Sequence, residues 1–530
     1  MMIFGAIPLF FMELVLGQFH RTGAISVWKI APIFKGIGMA ECLISYYVAF
    51  YYNVIIAWAL YYFIASFSRV LPWTRCDNDW NTDRCYTSAN ASAIPANGSS
   101  STAEYFERAV LGLDSDSGIG HLGAPRWRLV LCLMGVFVIL FFSLWKGVKS
   151  SGKVVWVTAT MPYVVLSVLL VRGLMLPGAT EGILYFITPR IDRLSDPSVW
   201  TDAAVQIFYS VGAGFGAHIA YASYNKYHNN CYRDCLLTAG INSATSIFSG
   251  FVIFSYLGFM AKRENVEIDE VAKWGPGLVF VVYPEAISVL PGSAIWSIIF
   301  FFMLITLGLD SAMGGLEAVL TAIKDEYSWF IKRHRYGREI LTGVVCGTAF
   351  LFALQNVTNA GIYMLSMWDT FAAGTAILFV VFWQAVAVGW FYGLEQFCND
   401  IEQMLGFRPD WYWRVCWKFV SPVFLFVIIV SSIASYNPLV YKTSTAGDYT
   451  YPPWANALGW VIASSSMVLV PVVAIWKLSS TPGTWSQKLA VNISPHWEHR
   501  AIMSGETKVK RFQVSTYPTH TTSVVFIVKL

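Results

Sequence analysis

Charge is what this chain has least of. Only 13% of its 530 residues are Asp, Glu, Lys or Arg, against 56% hydrophobic and 16% aromatic. Mean hydropathy is positive. A soluble domain needs far more charge, so the composition describes an integral membrane protein. The net charge of +4 reflects loop bias and gives no reason to propose nucleic acid as a partner. MMIFGAIPLFFMELVLGQ lacks the basic n-region and small-residue cleavage site of a signal peptide. A P-loop, a nucleophile elbow and a metal-ligand cluster are missing as well, so nothing in the sequence suggests an enzyme.

What is present is a series of long apolar windows. Stretches of roughly 20 apolar residues predict about eleven spans, near 1–18, 36–66, 127–145, 153–174, 201–223, 236–261, 288–323, 339–356, 361–393, 413–436 and 454–477. Basic residues gather in alternate loops: His20, Arg21, Lys29 and Lys35; Lys146, Lys149 and Lys153; Lys226 and Arg233; Lys332, Arg333, Arg335 and Arg338; Arg408, Arg414 and Lys418. The positive-inside bias makes these loops cytoplasmic, and with them the C-terminus. The long 67–126 loop then faces outside. Cys76 and Cys85 bracket DNDWNTDR there, a spacing suited to a disulfide in an oxidising compartment. Two glycosylation sequons, at Asn90 and Asn97, lie in the same loop. The polar tail, 481–530, reads as irregular.

One predicted span is broken. QIFYSVGAGFGAHIAYASYNK (206–226) carries Gly212, Gly214 and Gly216 at alternate positions, which invites the helix to unwind. Unwound backbone at membrane depth survives only where it lines a protein cavity, the arrangement by which secondary transporters hold ions and small polar substrates. Close helix packing through small residues is the plainer alternative.

Polar groups inside spans are functional candidates. Asp310, Ser311 and the Leu307 carbonyl supply hard oxygen ligands suited to an alkali cation. Asn242, Thr245 and Ser246 form a second polar stripe, and Gln206 with Ser210 a third. Glu13 needs donors, which unwound amides around Gly214 would supply. For His218 the sequence offers no partner, and a satisfied core histidine is expected.

GAIPLFFMELVLGQ, FKGIG, YYNVIIAW, LPWTRC…WNTDRC, SGKVVWVTA, SYNKYHNNCYRD, LGLDSAMGGLEAVLTA and WANALGWVIASSSM closely resemble the neurotransmitter sodium symporter family, its monoamine branch best. The resemblance runs over 1–480. It implies an all-α polytopic membrane protein with the leucine-transporter-like inverted-repeat fold. About 11 of the 12 transmembrane helices would be present, because the chain resembles the family only from its second helix onward. The implied activity is sodium- and chloride-dependent symport of a small monoamine across the plasma membrane, with sodium ions and chloride ion as cofactors. The first helix would have carried the family's ammonium-binding aspartate, so a truncated, non-transporting membrane subunit is the reading from a different class. A homo-oligomer is left open.

Carried over residue by residue, the resemblance implies one sodium site at Leu307, Asp310 and Ser311, and a second using Ser210 and Asn242. The chloride site would use Gln206, Ser210, Asn242 and Ser246. The substrate pocket would be lined by Val48, Tyr52, Tyr209, Phe215, Ser311 and Gly315, with Ser45 and Ala312 in a subpocket. Asp369 would be the outer gate acid and Asp325 the inner one. Ser45, Val48, Ala312 and GPGLVFVVYPEAI resemble dopamine and noradrenaline carriers, with serotonin or octopamine as alternatives. Three residues depart from the family's habit: Gln384 stands for a glutamate, His218 for an aliphatic residue and Tyr209 for a phenylalanine.

Overall fold

The computed structural model describes residues 1–87, 98–113, 118–271, 275–443 and 447–503. Asn90 and Asn97 fall outside them. Among the described residues, nine helices are long and apolar enough to cross a membrane. They are Met2–His20, Pro32–Ala65, Trp127–Leu144, Gly152–Leu174, Cys231–Arg263, Ser293–Glu326, Gly337–Val357, Gly361–Leu405 and Trp411–Ala434. A tenth is a pair bent by 40°, Pro453–Met467 with Leu469–Ser480. The remaining predicted span is the glycine-broken one, whose halves are each too short to cross alone.

The elements that build the site are named in chain order: α1 (Ile7–His20), α2 (Lys35–Ala65), α3 (Val148–Leu174), α4 (Pro197–Val211), α5 (Ala217–Ala222), α6 (Cys231–Glu264), α7 (Ser293–Glu326), α8 (Gly337–Ala353) and α9 (Gly374–Val386). Local sequence explains where several begin. Asp196 caps α4 by accepting from the Ser198 N–H, with Pro197 at the first helical position. Asn230 caps α6 by accepting from the Arg233 N–H at 3.0 Å. Asp369 opens a π-helical turn, Asp369–Ala373, a local widening found often at functional positions.

Packing divides the apolar interior into two cores. One gathers the C-terminal half of α2, from Ala49 to Tyr62, with α3 and α7. The other gathers α1, the N-terminal part of α2 from Ile37 to Ile44, and α9. Val48 packs against both. The middle of α2 is therefore the seam between them, and α7 packs along it.

Cys76 and Cys85 are joined as a disulfide, as their spacing suggested. The seven other cysteines are free and buried. The tail corrects the sequence reading: Trp485–Ile493 is helical, opened by a capping box between Thr484 and Gln487, and helical turns continue to Met503. The T-x-x-Q spacing that makes this box is a start signal, masked by the polarity of the surrounding residues.

Candidate functional site

The broken helix does unwind. α4 ends at Gly212 (φ 81°) and α5 begins after Gly216 (φ 69°), with Gly214 between them at φ 86°. All three occupy the left-handed region that side chains avoid. Gly214 is also pinned by space: a Cβ there would stand 2.5 Å from Cγ2 of Val381 on α9.

Side chains supply hydrogen bonds to the freed backbone. The Gly214 N–H donates to Oε1 of Glu13 at 2.8 Å, the role expected for that acid. The Phe215 carbonyl accepts from the Ser45 hydroxyl at 2.7 Å. These two bonds satisfy freed backbone groups internally, as a lipid environment demands.

Around this stretch the structure assembles most of the predicted pocket. The Phe215 ring stands edge-on to Tyr209, centroids 5.7 Å apart. The Tyr209 hydroxyl lies 3.4 Å from that of Tyr51, and Asp369 lies near Tyr51. Tyr52 lies near Ser311. Ala312 is buried. A Cβ on Gly315 would come 3.9 Å from the Ser45 carbonyl, so α7 runs close beside α2 at this level.

Leu307, Asp310 and Ser311 share one face of α7 at helical spacing. Asp310 meets only the Thr158 hydroxyl of α3, at 3.5 Å, among the described residues. Its carboxylate therefore keeps lone pairs free for a ligand. Ser210 and Asn242 also meet: the Asn242 amide donates to the Ser210 carbonyl and hydroxyl, both at 3.2 Å. Gln206, one turn earlier on α4, is exposed, and Ser246 donates to the Asn242 backbone carbonyl at 3.1 Å. No hydrogen bond among the described residues ties either of these two side chains to the Ser210 or Asn242 side chain. Asp325, at the far end of α7, accepts from the Gly23 N–H at 2.7 Å. It lines a cavity of about 330 Å³ together with Thr22, Ser26, Lys29 and Lys324.

Three features escaped sequence reasoning. His218 is satisfied, as expected, but by a partner the sequence could not name: its Nδ1 lies 3.0 Å from Oε2 of Glu13, 205 positions away. Nη2 of Arg338 on α8 donates to both carboxylate oxygens of buried Glu317 on α7, at 2.9 Å each, and Tyr224 joins that acid from the end of the broken span. Glu41 on α2 is fully buried beside Glu13. The available signal was a single charged residue inside the apolar run GIGMAECLISYYV.

Comparisons with known proteins identify the family. A family model described as "Sodium:neurotransmitter symporter family" matches residues 1–481. The chain belongs to that family. It is 54% identical over 509 residues to the sodium-dependent dopamine transporter of Bos taurus, covering 95% of this chain and 72% of that one. It is 49% identical over 509 residues to the sodium-dependent serotonin transporter of Drosophila melanogaster, covering 95% and 80%. The symporter family consists of sodium-coupled membrane transporters of small neurotransmitter substrates, not enzymes.

Proposed function

We propose that this symporter carries a monoamine of the dopamine or noradrenaline type across the plasma membrane, coupled to sodium and chloride. The observation that carries the reading is an unwound turn at 212–216 together with a carboxylate of unused bonding capacity inside a membrane span, Asp310 on α7. Leu307, Asp310 and Ser311 would hold one sodium ion, and Ser210 with Asn242 a second. Gln206, Ser210, Asn242 and Ser246 would hold chloride. The amine ring would lie among Val48, Tyr52, Tyr209, Phe215 and Gly315, with Ser45 and Ala312 meeting its substituents. Asp369 and Asp325 would serve as the outer and inner gate acids. The residues present suit these groups chemically: hydroxyl, amide and carboxylate oxygens for an alkali cation, hydroxyl and amide hydrogens for an anion.

The disulfide between Cys76 and Cys85 supports an extracellular 67–126 loop, which would leave the C-terminus cytoplasmic and Asn90 and Asn97 open to glycosylation. Serotonin is the second reading, favoured by the Drosophila relative at 49% identity.

The test is uptake of labelled dopamine, serotonin and octopamine by cells expressing the protein, with surface labelling. Saturable dopamine uptake, lost when sodium or chloride is replaced, is expected. Preferential serotonin uptake would overturn the catecholamine assignment. Surface arrival with no uptake of any amine would overturn the transport reading.

A further inference from the structure

Behind the unwound turn sits a second polar site, built from four side chains on four elements: Glu13 (α1), Glu41 (α2), His218 (α5) and Gln384 (α9). Both glutamates are fully buried and Gln384 is 1% exposed, while the His218 side chain keeps 19% of its surface. Glu13 has three donors: the Gly214 N–H at 2.8 Å, His218 Nδ1 at 3.0 Å and the Gln384 amide at 3.2 Å. Gln384 faces two acceptors, so its nitrogen points to them and donates to Oε1 of both Glu13 and Glu41, each at 3.2 Å. Among the described residues Glu41 has that one neutral donor and nothing more, and its Oε2 is buried without a partner. That bare oxygen is aimed at the unwound turn, 3.3 Å from where a Cβ on Gly216 would stand.

Two ionised carboxylates sharing one amide, out of reach of water, would repel each other and leave a buried lone pair bare. Three donors can hold Glu13 as an anion. Glu41 has no such support. Facing Glu41 are Glu13 from α1, the Gln384 amide from α9, the Gly216 backbone of the unwound turn, and its own neighbour Cys42. No cation is among them; the Gly214 N–H and His218 are taken up by Glu13.

We propose that this cluster is a proton-binding site, with the proton resident on Glu41 and His218 its contact with solvent. Binding forms an O–H bond on the Glu41 carboxyl; release returns H⁺ to water and leaves the carboxylate. The site reports on the pocket because Glu41 lies one helical turn before Ser45, which holds the Phe215 carbonyl. A charge appearing on Glu41 would act on the Phe215–Gly216 end of the same unwound turn.

The test is infrared spectroscopy of the purified protein in lipid nanodiscs, with no sodium or amine present, so that it stands apart from transport. A carbonyl-stretch band of a protonated carboxyl is expected near neutral pH. It should vanish in Glu41→Gln, an isosteric change, and survive in Glu402→Gln, which alters an exposed glutamate. In His218→Gln the band should persist while its shift on transfer to deuterated buffer slows several-fold. Absence of the band in the unaltered protein, or its survival in Glu41→Gln, would overturn the proposal. Loss of the band on adding sodium alone would make the cluster a metal-cation site and overturn it equally.

Discussion

Two polar regions, the Asp310–Ser311 stretch of α7 and the Glu13 cluster behind the unwound turn, differ in what their side chains have left to give. On the pocket side, the hydrogen-bond partner of Asp310 among the described residues is the Thr158 hydroxyl, at a long 3.5 Å, and Ser311 lies near Tyr52. On the Glu13 side the protein consumes its own groups: an amide N–H, a histidine and a glutamine all converge on one acid. Spare capacity marks a place for a ligand; used capacity marks a support that holds the turn open. Glu41 Oε2 is the one atom on the support side that breaks this rule, which is why it draws the proton assignment.

The contrast can be broken by substitution. Replacing Glu13 with Ala should have the largest effect on stability. It strands the Gly214 N–H and His218 in the interior, at a cost of about 3–5 kcal/mol, and the purified protein should melt far earlier or fail to reach the surface. Next comes Gly214→Ala, which forces a left-handed residue against Val381 and should cost about 3 kcal/mol. Gly212→Ala is the control: its Cβ would find 3.4 Å to the His218 ring, so only the backbone strain of about 1 kcal/mol applies. Similar melting temperatures for the two would mean that the close approach of α9 does not matter. Ser45→Ala removes one hydrogen bond to the Phe215 carbonyl and should cost about 1 kcal/mol in thermal stability.

Asp310→Asn sharpens the comparison from the other side. It should change stability in sodium-free buffer by less than about 0.5 kcal/mol. Stabilisation by added sodium, and sodium-dependent uptake, should fall at least tenfold. A large loss of stability in sodium-free buffer would move Asp310 to the structural side of the divide.

How much of this was legible beforehand depends on range along the chain. The spans are local, since an apolar window carries its own evidence, and every predicted one has a counterpart here. The break at Gly212, Gly214 and Gly216 was equally local. That Glu13 would take amide donors from this break followed from the cost of a buried carboxylate, without knowing any distance. The role of Glu41 did not follow. One acid in an apolar helix has many conceivable partners, and its neighbours Glu13 and Gln384 come from α1 and α9. His218 was expected to be satisfied, but its partner could not be named for the same reason, and the Glu317–Arg338 pair was missed because it depends on how α7 and α8 cross.

By itself, then, the amino-acid order determined that this chain lives in a membrane, where it crosses, which crossing breaks, and the family motifs that Asp310, Ser311, Ser210 and Asn242 belong to. Hydropathy, glycine conformation and motif are properties of neighbouring residues. Only the tertiary structure decided which polar groups spend their bonds on each other and which stay free. That choice is made where helices from distant parts of the chain pack together, and in an interior without water each bond formed there settles what remains for a ligand.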